Sequence, residues 1–156
     1  DHKVFLKTFE VKKEWIDYNK HMNMAYYVLI IDTAWEVALE KFKMGANAAK
    51  NEKRSTMVVE TNTKYLNEVK VGEEVDVNLT YFDHDKKRLH IKMEMIGKNT
   101  NKISASMEWI SLYIDLRKRK VAEFEDEKIK LMDDFIRENK SNFSSEGLLF
   151  SSKLKR

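Results

Sequence analysis

The feature that most restricts the fold of this chain is a wide apolar stripe that begins at Met24. Its members recur at steps of three and four residues, as on one face of a helix: Met24, Tyr27, Val28, Ile31, Trp35, Ala38 and Phe42. Further apolar residues widen this stripe, namely Ile30, Ala34 and Val37, so the pattern predicts a long helix that is buried on most of its girth. Gly45 is a typical residue to stop such a helix.

Four stretches that alternate apolar and polar residues follow the helix. They run through Met57–Tyr65, Val75–Tyr81, Leu89–Met95 and Ile103–Asp115, and the turns between them are short enough for antiparallel neighbours. An earlier strand is predicted from Val4 to about Trp15. A final helix is predicted over Asp126 to Asn139. We therefore predict an α+β fold, an antiparallel five-stranded sheet wrapped around a long central helix, with a C-terminal helix added.

The domain organisation follows from length and composition. A chain of 156 residues has the size of one domain, which we assign to residues 1–140. Residues 141–156 are rich in Ser and Lys and are predicted to form a flexible tail. Within that tail, the run from Leu148 to Phe150 is apolar enough to dock on the domain.

Composition excludes several classes of function. The chain has no cysteine, which rules out disulfides, thiolate zinc sites and cysteine nucleophiles. The net charge of +3 comes from interleaved acids and bases, and the one basic run, Arg117–Lys120, has no aromatic neighbour to stack bases. His84 and His90 are predicted on a hairpin surface, without metal-ligand spacing. These observations predict no metal and no nucleic-acid partner. The charged start and the lack of a long apolar run favour a cytoplasmic protein with no membrane partner.

The segment ahead of the helix concentrates polar chemistry. It reads E-W-I-D-Y-N-K-H-M-N-M-A-Y-Y and places Asp17, Asn19, His21 and Asn23 in one short loop. The free N–H groups of a helix's first turn suit a polarised carbonyl, which a nearby carboxylate could attack directly or through water. An ordinary helix cap has the same pattern, with Asp17 or Asn23 as the cap and His21 as a hydrogen-bonded loop residue. Periodicity alone leaves both interpretations open.

Three motifs in this chain resemble those of one enzyme family. The loop is similar to the D-x-N-G-H-M-N signature of hotdog-fold acyl-CoA thioesterases, the 4-hydroxybenzoyl-CoA thioesterase-like superfamily. Val59–Glu68 and Asp85–His90 resemble the E-x-H-x-x-Y-L-x-E and D-A-K-R-L-H patterns of a bacterial branch that includes thioesterase modules of carnitine and betaine metabolism. The similarity covers Val11 to Asp115, and the order of the motifs agrees with the element order above.

The resemblance implies roles for residues of the loop. Asp17 matches the catalytic carboxylate, which acts on the thioester as a nucleophile or as a base toward water. His21 and Asn23 match positions that shape the loop. The backbone N–H groups of Asn23 and Met24 would polarise the thioester carbonyl.

The resemblance also implies roles outside the loop. Glu60 would face the catalytic cleft, although a lone carboxylate on a strand is usually solvated or salt-bridged. Glu68 would orient the loop or a water molecule, unless it is only a turn residue. Lys86, Lys87 and Arg88 would bind the phosphates of coenzyme A, with Arg88 favoured for its planar fork, although such a run is usually an ordinary hairpin turn.

We therefore expect an acyl-CoA thioesterase that needs no cofactor, since coenzyme A is part of its substrate. Two departures from the family pattern are Lys20 in place of glycine, which would strain a tight turn, and Asn62 in place of histidine.

The alternatives are a thioesterase for acyl groups on a carrier protein and a hotdog module that binds acyl-CoA without hydrolysis. The resemblance further implies a homodimer or a tetramer, with active sites between subunits. The acyl group stays open, since aromatic residues would suit a trimethylammonium group and methionines a fatty chain.

Overall fold

The computed structural model describes residues 3–156, in which a curled antiparallel sheet surrounds one long helix. Its strands are β1 (Val4–Glu10), β2 (Arg54–Tyr65), β3 (Glu74–His84), β4 (Arg88–Gly97), β5 (Ile103–Asp115) and the short β6 (Lys120–Val121). Its helices are α1 (Met24–Lys41), α2 (Ala46–Asn51) and α3 (Asp126–Glu138). The strand order is β1-β3-β4-β5-β2, with β6 paired to β5. The predicted α+β fold is confirmed, with β6 and α2 added to it.

The core lies between α1 and the inner face of the sheet. The buried residues of α1 include Ile31, Ala34 and Ala38, each without measurable exposure, as the apolar stripe predicts. Trp35 packs against Phe82 of β3 and Trp109 of β5, with ring centroids 5.6 and 5.8 Å apart. The alternating residues of β4 are fully buried on the same side: Leu89, Ile91, Met93 and Met95. Burial on this scale provides most of the free energy that holds the helix in the sheet.

Two predicted element boundaries are wrong for local reasons. The first strand ends at Glu10 and not near Trp15, because Lys13–Trp15 form a tight 3-10 turn. Helix α1 ends at Lys41, and the left-handed turn that follows it is made by Lys43, with φ 57°. Gly45 has φ −88° and immediately precedes α2, so it caps the start of a second helix and does not end the first.

A β-bulge changes which residues of β2 are exposed. The pairing of β2 with β5 shifts register between Val58 and Glu60, so Val59 is an extra residue in the ladder. The strict alternation predicted from Met57 to Tyr65 is therefore interrupted. Met57, Val58 and Val59 are all about half exposed. Because β2 has a neighbour on one side only, this apolar run lies along a free edge of the sheet.

The C-terminal segment, residues 139–156, lies across the outer face of the sheet, opposite α1. The N–H of Ser144 donates to the carbonyl of Thr80, and the N–H groups of Leu149 and Phe150 donate to the Glu108 carboxylate. Phe150 is buried, so the apolar run 148–150 docks on the domain. The division of the chain at residue 140 stays a prediction. Residues 1 and 2, within the predicted domain and the charged start, lie outside the described part.

The docked segment explains why the prediction for His90 is wrong. His90 has no measurable exposure, and its Nε2 lies 2.7 Å from Oε2 of Glu108, which is also buried. Its Nδ1 has no hydrogen-bond partner within residues 3–156. His84, also predicted on the surface, bonds through Nε2 to Asp133 of α3 at 2.6 Å. Both histidines lie beneath elements from later in the chain.

None of the helices within residues 3–156 combines the length and the apolarity that a membrane span requires.

Candidate active site

The loop ahead of α1 is a short hairpin with a defined turn. Ile16 and Met22 form an antiparallel bridge, and the N–H of Asp17 donates to the carbonyl of His21 at 2.9 Å. Within the bridge, the N–H of Lys20 donates to the carbonyl of Asp17 at 2.9 Å. Lys20 has φ 65°, the left-handed conformation that glycine adopts most easily. The geometry is that of a three-residue hairpin loop that closes with a left-handed residue.

The same turn holds the carboxylate of Asp17. Oδ1 accepts hydrogen bonds from the N–H groups of Asn19 and His21, at 2.9 and 3.3 Å. Such side-chain bonds to the following backbone fix the orientation of an aspartate in a turn. Oδ2 receives no hydrogen bond from residues 3–156, so one oxygen of this half-buried carboxylate is left for other partners.

The first turn of α1 offers one free backbone donor. Asn23 caps the helix, because its Oδ1 accepts the N–H of Ala25 at 2.9 Å. The N–H of Asn23 itself donates to the carbonyl of Trp15 at 3.0 Å, so that donor is already engaged. The N–H of Met24 has no acceptor within the described part of the chain. Met24, and not Asn23, therefore presents the available N–H group at this helix start.

An ion pair joins the loop to the end of β2. Nε2 of His21 lies 3.2 Å from Oε1 of Glu68, and the two side chains are 61% and 50% exposed. Because the backbone N–H of His21 also donates to the Asp17 carboxylate, Asp17, His21 and Glu68 form one connected group. The structure thus brings Glu68, which lies far along the chain, to the loop that already holds Asp17 and His21.

A cavity of about 300 Å³ opens beside this group, between the start of α1 and the end of β2. It is lined by His21, Met22, Met24, Tyr27, Tyr65, Leu66, Asn67 and Glu68. Asp17 is not among these lining residues. The rings of Tyr27 and Tyr65 meet edge to face at 5.2 Å, so one wall of the cavity is aromatic and another is polar. A site of this kind accepts a small group with an apolar body and a polar end.

Sequence reasoning missed two lining residues, Leu66 and Asn67, and assigned a different role to Tyr65. The spacing predicts Tyr27 as a core residue that could also contribute to an acyl pocket. Burial, and secondly the negative charge of the nearby Glu68, raises the pKa of its hydroxyl above the usual range. Asn67 was not considered, although it lies inside the Y-L-N-E motif that carried the resemblance. The alternation along β2 puts Tyr65 on the apolar face and so predicts a packing role, yet Tyr65 is 47% exposed because β2 is an edge strand.

Glu60 lies apart from the loop within one subunit. It pairs with Ile110 in the middle of the β2–β5 ladder. Its Oε1 is 3.5 Å from Nζ of Lys153 in the C-terminal segment, and both side chains are about half exposed. Asn62, which replaces the histidine of the resembling branch, lies two residues further along the same free edge, opposite Glu108.

Residues 86–88 also lie away from Asp17 within one subunit. Glu10, which leads into the loop, pairs with Glu74 at the start of β3, whereas residues 86–88 follow the end of β3 at His84. Eleven residues of strand separate these points, a length of about 36 Å. The carboxylate of Asp85 accepts the N–H of Lys87 and of Arg88, and pairs with Nη1 of Arg88 at 3.0 Å.

No group of three or more His, Asp or Glu side chains within residues 3–156 is arranged to hold a metal ion.

Comparison with known proteins identifies a family over most of the chain. The family model of the thioesterase-like superfamily matches residues 11–138. The betainyl-CoA thioesterase of Pseudomonas aeruginosa strain PAO1 is 31% identical over 124 residues, which cover 78% of each chain.

Solved structures share the fold at lower identity. A Staphylococcus aureus protein solved in complex with CoA has a TM-score of 0.81 and 21% identity, over 100% of this chain and 96% of that one. The 1,4-dihydroxy-2-naphthoyl-CoA thioesterase of Synechocystis has a TM-score of 0.74 and 16% identity, over 83% of this chain and 96% of that one. These similarities confirm the predicted hotdog fold.

Proposed function

Because this chain belongs to the thioesterase-like superfamily and is a thioester hydrolase, we propose that it is an acyl-CoA thioesterase with its catalytic group at the Asp17 loop. Water and an acyl-CoA would be consumed, and a carboxylic acid and coenzyme A would be released. The observation that carries the proposal is the connected group of Asp17, His21 and Glu68 beside a cavity at the start of α1.

The chemistry that we propose needs few groups. Asp17, held by two N–H donors, would attack the thioester carbonyl or activate a water to do so. The free N–H of Met24 would stabilise the oxyanion that forms on the carbonyl oxygen, while that of Asn23 would contribute only if it left the Trp15 carbonyl. A thiolate is a good leaving group, so no strong general acid is required.

The ion pair of His21 and Glu68 would serve positioning. Glu68 contacts the His21 ring, and the His21 N–H contacts the carboxylate that we assign to catalysis. In this proposal Glu68 therefore acts on the reaction through the loop, as the resemblance implies. Its position in the cavity lining also lets it contact a bound acyl group or water.

We further propose a homodimer in which two β2 strands pair edge to edge. An antiparallel pair about a two-fold axis would put the Arg54 end of one β2 beside the Tyr65 end of the other. Residues 86–88 lie at the Arg54 end of the sheet, because Arg88 pairs with Leu112 and Arg54 with Asp115 of β5. In such a dimer the basic hairpin, and Glu60 along the shared edge, would approach the partner's loop. Binding of coenzyme A phosphates by residues 86–88 is proposed in that arrangement.

The acyl group that we favour is small and bears a quaternary ammonium. The relative from Pseudomonas aeruginosa is named for betainyl-CoA. In this chain the cavity of about 300 Å³ is lined by Tyr27 and Tyr65, whose rings meet edge to face, together with Glu68. Aromatic faces and a carboxylate are the groups that attract a trimethylammonium ion. A panel of betainyl, short alkyl, aryl and long-chain acyl-CoA substrates, read by release of free thiol, tests this choice.

The decisive variant for the reaction is Asp17→Asn. We expect it to lower kcat by about 10²-fold or more, since a positioned carboxylate contributes roughly that much. The matched control is Glu14→Gln, which removes an exposed carboxylate three residues away and should leave kcat unchanged. Circular dichroism and gel filtration establish that both variants keep the fold. An Asp17→Asn enzyme as fast as the wild type would contradict the assignment.

The two rival functions give different results in the same assays. A thioesterase for carrier proteins would hydrolyse an acyl group on its carrier much faster than the same group on free coenzyme A. A binding module would bind acyl-CoA by calorimetry while releasing no thiol. Lys20, the departure from the family glycine, is the sequence feature that favours this second rival.

A further inference from the structure

A second cavity lies on the other side of the Asp17 loop, between β1 and α1. Its volume is about 580 Å³, nearly twice that of the cavity beside His21. Four side chains give it an apolar lining: Phe9, Trp15, Leu29 and Ile30. We call this cavity the β1–α1 groove. Leu29 is 47% exposed, so an apolar wall of the groove is open to solvent.

Two lysines at the groove carry charges that are not neutralised. Nζ of Lys7 lies 5.3 Å from the ring centre of Phe9, and Nζ of Lys12 lies 5.3 Å from that of Trp15. Neither ammonium pairs with a carboxylate within residues 3–156. The aromatic rings hold both cations at the groove without cancelling their charge.

The one carboxylate that borders the groove is Glu10. Strand alternation puts Lys7 and Phe9 on one face of β1 and Thr8 and Glu10 on the other. The hydroxyl of Thr8 donates to Asp76 of the neighbouring strand, which agrees with that division. The groove lining therefore holds two lysines and one glutamate, which leaves a net positive charge beside its apolar surface.

We propose that the β1–α1 groove binds an apolar carboxylate, a molecule with an aryl or alkyl body and one anionic end. The body would lie against Trp15 and Leu29, and the carboxylate would lie between the ammonium groups of Lys7 and Lys12. An uncharged apolar ligand would form no ion pair with either lysine. A polyphosphate would make no contact with the apolar lining. The proposal goes beyond thioester hydrolysis, because binding here requires no turnover.

The groove is separate from the cavity at His21 but adjoins the same loop. The Trp15 ring lines the groove and stacks on Tyr26, with centroids 5.7 Å apart. The carbonyl of Trp15 accepts the N–H of Asn23, the residue that caps α1. A ligand in the groove would thus contact a residue that supports the catalytic loop from behind.

The test is a titration of the full chain, followed by tryptophan fluorescence and by calorimetry. The ligands are octanoate and 3-phenylpropanoate, with octanol and 3-phenylpropanol as uncharged analogues. The carboxylic acid that the enzyme releases is titrated as a further ligand. We expect saturable binding of the acids at millimolar concentration or tighter, and at least fivefold weaker binding of the alcohols. Trp15→Phe should remove the fluorescence change, because Trp35 and Trp109 are buried elsewhere.

Variants locate the binding site. Lys7→Gln with Lys12→Gln, and separately Leu29→Glu, should weaken octanoate binding by fivefold or more. The control, Lys118→Gln with Lys120→Gln, removes two exposed lysines from the β5–β6 turn and should leave binding unchanged. Urea unfolding of each variant shows whether it folds, and Leu29→Gln provides a second, uncharged change at the same open position.

Three results would overturn the proposal: absence of saturable binding, equal weakening by the two lysine pairs, or displacement of octanoate by coenzyme A. Displacement would assign the carboxylate to the cavity at His21. Asp17→Asn should bind octanoate as the wild type does. An error in the proposed hydrolysis and an error in the proposed octanoate binding would therefore give different outcomes.

Discussion

At the residue scale, Lys20 shows what the departure from the family glycine costs. The hydrogen bonds of the 16–22 hairpin require a left-handed residue at this position, and Lys20 supplies it with φ 65°. A side chain with a Cβ pays about 1 kcal/mol or more in that conformation. The turn forms nevertheless, because the Asp17 carboxylate and two backbone bonds hold it. The departure therefore affects stability, while the turn that holds Asp17 still forms.

Replacing Lys20 with glycine should stabilise the protein. We expect Lys20→Gly to raise the free energy of unfolding by about 1 kcal/mol, since relief of the left-handed strain outweighs the entropy that glycine adds to the unfolded chain. Urea denaturation measures the change. Lys20→Ala keeps the Cβ and removes the charge, so it should bring no gain. Equal stabilisation by both variants would point to the charge and not to the backbone.

At the scale of elements, the C-terminal segment and β5 depend on one buried carboxylate. Glu108 accepts hydrogen bonds from the His90 ring and from the N–H groups of Leu149 and Phe150. Burial alone would raise the pKa of this carboxyl, but these bonds favour the charged form and hold the pKa below its ordinary value. Asp85 also contacts the segment, through the N–H of Lys155.

Removing the charge at Glu108 should loosen the segment. We expect Glu108→Gln to lower the free energy of unfolding by roughly 1–3 kcal/mol, because the N–H groups of Leu149 and Phe150 lose a charged acceptor. Hydrogen exchange should rise first at residues 144–150. Glu146→Gln, an exposed neighbour, is the matched control. Unchanged protection at Leu149 and Phe150 would show that Glu108 does not hold the segment.

The same pair of N–H bonds predicts a pH dependence. Because folding lowers the pKa of Glu108, its stabilisation is complete above the unfolded value near 4.5 and is lost as pH falls through the lower folded value. We therefore expect the protection factors of the segment, which correct for the slower intrinsic exchange at low pH, to fall below about pH 4.5. Glu108→Gln should remove part of this pH dependence. The part that remains should come from Asp85, whose pKa is also lowered. Protection of the segment that stays constant through this pH range would contradict the prediction.

At the scale of the whole molecule, the free edge of β2 is the feature that a single subunit leaves unexplained. Met57, Val58 and Val59 are consecutive, apolar and about half exposed on a strand that pairs on one side only within residues 3–156. Exposed edges of this kind pair with other chains unless they are charged or covered. The proposed homodimer covers this edge and brings residues 86–88 of each subunit toward the loop of the other.

A charge on the edge should separate the subunits. We expect Val58→Lys to convert a dimer into a monomer in light scattering and to lower kcat/KM by about tenfold or more, if the site is shared. Val121→Lys places the same charge on β6, where the native valine is equally exposed, and should change neither property. A fully active monomer would mean that one subunit holds the complete site.

Local sequence patterns predicted most of the fold. The stripe from Met24 to Phe42 and the alternation from Leu89 to Met95 predicted elements whose buried faces the structure confirms. Hydrophobic periodicity works there because each element buries one continuous face. It fails at Val59, where a bulge breaks the alternation, and at Lys43, where an ordinary residue makes a left-handed turn.

The sequence by itself determined the strand and helix order, the polar loop at Asp17 and the family that its motifs resemble. Only the tertiary structure decided which charged groups meet. His21 reaches Glu68 because β2 ends beside the start of α1, and His90 is buried because residues 149–150 fold back onto Glu108. Backbone propensity and periodicity act over a few residues, whereas these contacts join distant parts of the chain. Their partners are set by how the sheet curls around α1.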